Sequence, residues 1–155
     1  MVSTTRDEEK KKVLFLCTHN SARSQMAEGL LRAMYPDRYE ARSTGVIATS
    51  VDPRAIRAMA EIGIDISAQR SKTALEFCDT LFDLAVTVCD KAKQACPIFM
   101  TQLQKPGKSP RSREIIHRSF ADPAAEAIGA EEEQLGAFRR VRDEIMEWIT
   151  QTLGR

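Results

Sequence analysis

The chain reads as an α/β protein: one three-layer domain in which a central four-stranded parallel sheet is flanked by helices. Three observations predict this. Short apolar runs suited to strands buried on both faces alternate with stretches of helical periodicity. The 155 residues contain no internal repeat and no Gly/Ser- or Pro-rich linker, which suits one domain with a single core. Two apolar runs end in a cysteine and a third leads to Asp122, and ligands of parallel sheets bind at the carboxyl ends of strands.

Residues 1–12 read as a solvated tail, acidic at Asp7-Glu8-Glu9 and basic at Lys10-Lys11-Lys12, with the domain over 13–155. Val13-Leu14-Phe15-Leu16 is the first strand and runs into Cys17, with Thr18 to Ser21 as a loop. From about Ser21 a helix carries Met26, Leu30 and Ala33 or Met34 on one face, until Pro36 and Asp37 stop it. Tyr39 to Thr44 forms a second strand, closed by Gly45. Asp52 and Pro53 open a helix as N-cap and first helical residue, with Ile56, Met59 and Ala60 as its apolar face and Gly63 as its stop. Ser67 to Cys78 predicts another short helix, and Leu84 to Val88 a third buried strand leading to Cys89. Gln104 to Arg113 is a polar loop, followed by a short fourth strand at Glu114 to His117 and the turn Asp122-Pro123. In the last helix Leu135, Phe138, Val141, Ile145, Trp148 and Ile149 step mostly by three and four, a stripe that faces a core. Glu131-Glu132-Glu133 sits at the positive end of that helix dipole, and Arg139-Arg140 belongs to a solvated face.

Composition narrows the class. Apolar residues make up 43% and charged residues 29%, as in ordinary globular proteins. No apolar run approaches the roughly 20 residues of a membrane span, and the charged start cannot be the apolar core of an export signal. Twenty-three basic against 22 acidic side chains leave a net charge of +1, no sign of a general nucleic-acid binder. The cysteines Cys17, Cys78, Cys89 and Cys96 are too few for a disulfide scaffold. The expected compartment is the cytoplasm, where cysteines are catalytic, metal-binding or inert.

The segment Cys17-Thr18-His19-Asn20-Ser21-Ala22-Arg23-Ser24 places a cysteine and an arginine six positions apart around a strand-to-helix turn. Amides of such a loop and of the helix N-terminus point into one concavity, which suits a tetrahedral oxyanion. Arg23 supplies a planar two-pronged donor to close over it. The same positive field favours the thiolate of Cys17, and Ser24 can donate to that sulfur. The alternative is a buried, inert cysteine beside a surface arginine. Zinc held by Cys17, His19, Cys89 and Cys96 fits poorly, because no close cysteine pair is present and Arg23 would repel the metal, so no metal or other cofactor is expected.

These residues, extended through Gln25-Met26-Ala27-Glu28-Gly29, resemble the phosphate loop of the low-molecular-weight tyrosine phosphatase fold. More narrowly, the chain is similar to the thioredoxin-coupled arsenate reductases built on that fold. The likeness continues through Arg42-Ser43-Thr44-Gly45, Gly63-Ile64-Asp65-Ile66-Ser67, Val86-Thr87-Val88-Cys89, Cys96-Pro97, Asp122-Pro123-Ala124 and Phe138 to Ile145. The resemblance implies that arsenate sits against Thr18, His19, Asn20, Ser21, Ala22, Arg23 and Ser24. The Cys17 thiolate attacks arsenic, with Asp122 as proton donor for the water that leaves. Cys89 then attacks Cys17, expelling arsenite, and Cys96 attacks Cys89, leaving a Cys89–Cys96 disulfide that thioredoxin or a similar dithiol reduces. A phosphatase has no use for Cys89 and Cys96. Cys78 has no place in this relay and reads as structural.

Geometry adds an expectation. Asp90 to Ala95 is good helix material, and seven helical positions span about 10.5 Å, whereas a disulfide needs Cα atoms within about 7 Å. The segment must therefore unwind or bulge on oxidation. Aromatic residues that hold an aryl substrate in tyrosine phosphatases are missing near Asp122, where Ala124 and Ala125 follow, so a small inorganic oxyanion is favoured. Some relatives bind a monovalent cation near the loop where this chain has Lys72. Glu28 and Ser43 remain, and the Lys72 ammonium is expected to stand in for that ion. His19 either narrows the mouth or faces water, an Arg70 to Lys72 patch is placed to attract anions, and His117 reads as structural or exposed. Two other functions stay open: a tyrosine or small-molecule phosphatase, and a non-enzymatic oxyanion-binding or redox-sensing protein. Nothing calls for more than a monomer.

Overall fold

The computed structural model describes residues 10–90 and 110–155. Its strands are β1 (Lys11–Cys17), β2 (Tyr39–Gly45), β3 (Leu81–Thr87) and β4 (Arg111–His117). They form one sheet in the order β2-β1-β3-β4, and each neighbouring pair is parallel. The helices are α1 (Arg23–Met34), α2 (Pro53–Ala60), the single turn α3 (Pro123–Glu126) and α4 (Glu131–Thr152). From β1 the chain goes first to β2 on one side and then to β3 on the other. The carboxyl end of β1 is thus the point where strand order reverses, the crevice in which open α/β sheets bind ligands.

The register brings four strand ends to that crevice: Cys17 lies opposite Gly45, Leu16 opposite Thr87, and Thr87 opposite His117. Val13 to Leu16 are fully buried, and α1 packs on β1 and β2. Helix α4 packs along α1, α2 and α3. Its stripe Leu135, Phe138, Val141, Ile145 and Ile149 is buried as the spacing predicts, while Trp148 is half-buried and meets the Phe120 ring edge-on at 6.3 Å between centroids.

Several expectations are corrected. Strand β1 begins at Lys11, two residues before Val13, because the exposed lysines still pair with β2. Ser67 to Cys78 holds no α-helix but one 3-10 turn at Ala74–Phe77. The segment instead lies along the loop after β1, where Gly45 N donates to the Lys72 carbonyl and Lys72 N to Asn20 Oδ1. In α2 the buried face is Ala55, Ala58 and Met59, with Ala60 exposed and Ile56 partly covered. In α1 Met34 is partly covered and packs against the core as one of the two expected candidates, whereas Ala33 is exposed and Leu31 is buried in addition. Strand β3 runs from Leu81 to Thr87, and β4 starts at Arg111 inside the expected loop. The tail to residue 9, the helix over 91–95 and its unwinding, Cys96, and the loop over 104–109 lie outside the described residues.

Candidate active site

The loop after β1 turns sharply at Asn20, a non-glycine residue in the left-handed region at φ 51°. Asparagine tolerates this conformation because its short polar side chain bonds locally. Both of its amide hydrogens are used, toward Ser24 Oγ at 2.8 Å and Ser43 Oγ at 3.0 Å. Its Oδ1 accepts from Gln25 Nε2 at 2.8 Å and Lys72 N at 2.9 Å. A fully satisfied buried amide of this kind fixes the loop in one shape. The loop also presses on β2: a Cβ at Gly45 would fall 2.6 Å from Asn20 N, so only glycine fits there.

Ser24 Oγ, already accepting from Asn20, lies 2.8 Å from Cys17 Sγ. Its hydroxyl hydrogen is available to the sulfur, and a donor there favours the charged form of a sulfur nucleophile. Helix α1 starts at Arg23 with no side-chain cap and no acidic residue in its first turn. Nothing in the helix itself offsets its positive end, in contrast to α4, whose first turn carries Glu131, Glu132 and Glu133.

Cys17, His19, Ser21, Ala22, Arg23, Asp122 and Ala124 line a cavity of about 80 Å³ at this point. That is well below the roughly 300–1,000 Å³ of sites for drug-sized ligands, and among the described residues no Phe, Tyr or Trp ring lines it. Across the mouth Arg23 Nη1 donates to the Phe120 carbonyl at 3.2 Å, and Nη2 stands 3.9 Å from Asp122 Oδ2. Asp122 caps α3 by accepting from Ala124 N at 3.0 Å, which leaves its other oxygen toward Arg23. Trp148 supports this loop from behind through Phe120.

The tertiary structure therefore gathers the loop Cys17–Ser24 and Asp122 around one small cavity. His19 both lines it and is exposed, with its carbonyl accepting from Ser71 Oγ at 2.9 Å. Cys89 joins them from the end of β3: its thiol is buried and lies 3.1 Å from Thr18 Oγ1. Cys78 stands apart, with its thiol donating to the Leu75 carbonyl at 2.8 Å.

Behind the loop, Lys72 Nζ donates to the Arg70 carbonyl at 3.1 Å and lies 3.5 Å from Glu28 Oε1, both side chains being more than nine-tenths buried. Burial lowers the pKa of this ammonium below the ordinary lysine value, against the opposing pull of Glu28. Glu28 also accepts from Ser43 Oγ at 2.6 Å and pairs with Arg32. A continuous chain thus runs from Lys72 through Glu28, Ser43, Asn20 and Ser24 to Cys17. This corrects the anion-attracting patch expected at Arg70 to Lys72, since Lys72 faces inward and Arg70 is paired with Glu76.

Two contributors were not foreseen from sequence. Gln25 Nε2 ties the loop to the Arg70 carbonyl at 2.9 Å. His117, read as structural or exposed, bridges Thr87 and Asp90 on either side of Cys89. The one sequence hint to His117 was its place at the end of a strand that leads to Asp122.

Residues 12–154 match the family model described as low molecular weight phosphotyrosine protein phosphatase. Among curated relatives, an arsenate reductase of Halalkalibacterium halodurans is 45% identical, over 88% of this chain and 90% of its own length. Among solved structures, an arsenate reductase in the phosphate binding state superimposes with a TM-score of 0.69 at 29% identity, covering 93% of this chain and 97% of that one. The arsenate reductase of Archaeoglobus fulgidus gives a TM-score of 0.65 at 32% identity, covering 92% and 99%.

Proposed function

The chain belongs to the low molecular weight phosphotyrosine protein phosphatase family, and within it we propose a cytoplasmic arsenate reductase that works by a three-cysteine relay. The observation that carries the reading is the Cys89 thiol at 3.1 Å from Thr18, beside the loop that carries Cys17. Phosphate ester hydrolysis needs one nucleophile and an acid, whereas reduction needs two electrons, which a pair of thiols delivers on forming a disulfide. Relatives named arsenate reductase support the same choice.

Arsenate binds in the cavity against the amides of Thr18 to Ser24, and Arg23 turns from Phe120 and Asp122 to grip two of its oxygens. The Cys17 thiolate, held by Ser24, attacks arsenic, and an arsenic oxygen leaves as water with a proton from Asp122. Cys89, deprotonated, attacks the Cys17 sulfur. The S–S bond forms, the S–As bond breaks, and its electron pair stays with arsenic, which departs as arsenite. Cys96 then displaces Cys17 from Cys89, and a thioredoxin-type dithiol reduces the Cys89–Cys96 bridge.

The direct test is arsenate-dependent NADPH consumption with thioredoxin and thioredoxin reductase. Sustained turnover is expected with that system, and none when glutathione and glutaredoxin replace it. The opposite preference would reassign the reductant but keep the relay. A single oxidation per molecule, without sustained arsenite release, would favour the redox-sensing reading.

Lys72 supplies the charge that a monovalent cation supplies in some relatives. Exchanging sodium for potassium is accordingly expected to leave activity and melting temperature unchanged. Lys72→Gln leaves Glu28 with Ser43 and Arg32 but strips its buried cation, at a cost of about 2 kcal/mol. For a chain of this size that lowers the melting temperature by roughly 4–8 °C, and potassium restores part of it. Stabilisation of the wild type by potassium in a thermal melt would refute the substitution.

A further inference from the structure

His117 ends β4 directly opposite Thr87 in the parallel register, so the two side chains share a face of the sheet. Its Nδ1 lies 2.7 Å from Thr87 Oγ1 and its Nε2 3.1 Å from Asp90 Oδ1. A carboxylate only accepts, so Nε2–H donates to Asp90, and in the neutral imidazole Nδ1 is then an acceptor for the hydroxyl of Thr87. One imidazole therefore ties the residue two before Cys89 to the residue just after it.

The backbone between these ties is also held. Val88 N donates to the Leu16 carbonyl at 2.9 Å, and Phe120 N donates to the Val88 carbonyl at 3.0 Å. Beyond Val88 the sheet ladder has ended, because β3 stops at Thr87. Past Val88, the chain around Cys89 is tied by the contact of its own thiol with Thr18 and by the bond of Asp90 to His117. Asp90 itself is mostly exposed, with 78% of its side chain accessible, whereas His117 is 23% accessible and anchored on β4. The rigid partner is the histidine.

We infer that His117 is a positioning residue for Cys89, holding the chain on both sides of it so that its sulfur stays against Thr18 and the anion loop. The inference rests on the reading of Cys89 as the thiol that attacks Cys17. In that step deprotonated Cys89 forms the S–S bond while the Cys17–arsenic pair of electrons leaves with arsenite, and attack requires the two sulfurs within about 3–3.5 Å on line. Loosening the tie lowers the rate of this step and spares the earlier attack of Cys17 on the anion, which His117 does not touch.

The experiment is rapid-quench measurement of Cys17–Cys89 disulfide formation after arsenate is added, with p-nitrophenyl phosphate hydrolysis reporting Cys17 chemistry alone. His117→Ala is expected to slow disulfide formation at least about tenfold, against the roughly hundredfold that a full 1 Å misplacement can cost, while hydrolysis stays within about twofold. His117→Gln, whose amide falls near the Nε2 position and keeps the bond to Asp90, is expected to recover most of the rate. His117→Asn, which reaches only Thr87, is not, and Asp90→Ala reproduces the loss. Unchanged disulfide formation in His117→Ala overturns the inference, as does an equal fall in both readouts, which would mean a general loss of structure. Arsenate turnover that survives Cys89→Ser removes the relay reading and the inference with it. A negative result on His117 alone leaves the role of Cys89 standing.

Discussion

Cys17→Ser is expected to abolish both arsenate-dependent turnover and p-nitrophenyl phosphate hydrolysis, by at least about 10⁴-fold, the scale of losing a covalent nucleophile. The environment of residue 17 explains the size. The Ser24 hydroxyl 2.8 Å from the sulfur and the uncapped start of α1 both favour an anion at that atom. Those features assist a sulfur nucleophile, whereas a serine hydroxyl ionises far too weakly to profit from them. The fold should survive, since a hydroxyl at position 17 can still bond to Ser24. An unchanged circular dichroism spectrum and a melting temperature within a few degrees of wild type would separate chemical loss from unfolding. Residual turnover above about one part in a hundred would place the nucleophile elsewhere.

Cys89→Ser is expected to divide the two activities that Cys17→Ser removes together. Sustained arsenite production disappears, because no second thiol is left to take the Cys17 sulfur from arsenic. Aryl phosphate hydrolysis persists within a few-fold, because Cys17, Arg23 and Asp122 still line the cavity and the serine hydroxyl can keep the contact with Thr18. Cys96→Ser should stop later, after one arsenite per molecule, with Cys17 and Cys89 joined. Mass spectrometry of alkylated peptides distinguishes the three arrest points. If Cys89→Ser reduces arsenate at the wild-type rate, the relay is wrong and the chain acts by another route to the same product.

The order of strands and helices was legible because the periodicities are strong where burial is strong. Val13 to Leu16 read as a doubly buried strand and are one, and the stripe from Leu135 to Ile149 read as a buried face and is one apart from Trp148. The misses lie where backbone bonds to distant chain replace local propensity. Ser67 to Cys78 contains enough helix formers to suggest a helix, yet its amides and carbonyls are drawn to Asn20, Gly45 and Gln25. Ala60 falls outside the buried face of α2 because α4 covers the side that carries Ala55, Ala58 and Met59. Spacing alone does not say where a neighbouring helix will lie.

The same division runs through the site. Cys17, Asn20, Arg23 and Ser24 lie within eight consecutive residues, and a strand-to-helix turn has few shapes, so local sequence by itself determined that a thiol, an arginine and free amides would face one another. Asp122 and Cys89 come from about 100 and 70 residues away along the chain, and only the parallel register and the reversal of strand order at β1 bring them to the cavity. His117 depended on tertiary structure entirely, and Lys72 was singled out only through the family resemblance, its contact with Glu28 being supplied by the fold. A lone lysine or histidine carries no periodic signal, and its meaning comes from what it faces: Glu28 behind the loop for one, Thr87 and Asp90 around Cys89 for the other. Short-range chemistry is written in consecutive residues because the chain cannot move them apart, whereas long-range chemistry waits on the packing that decides which strand ends meet.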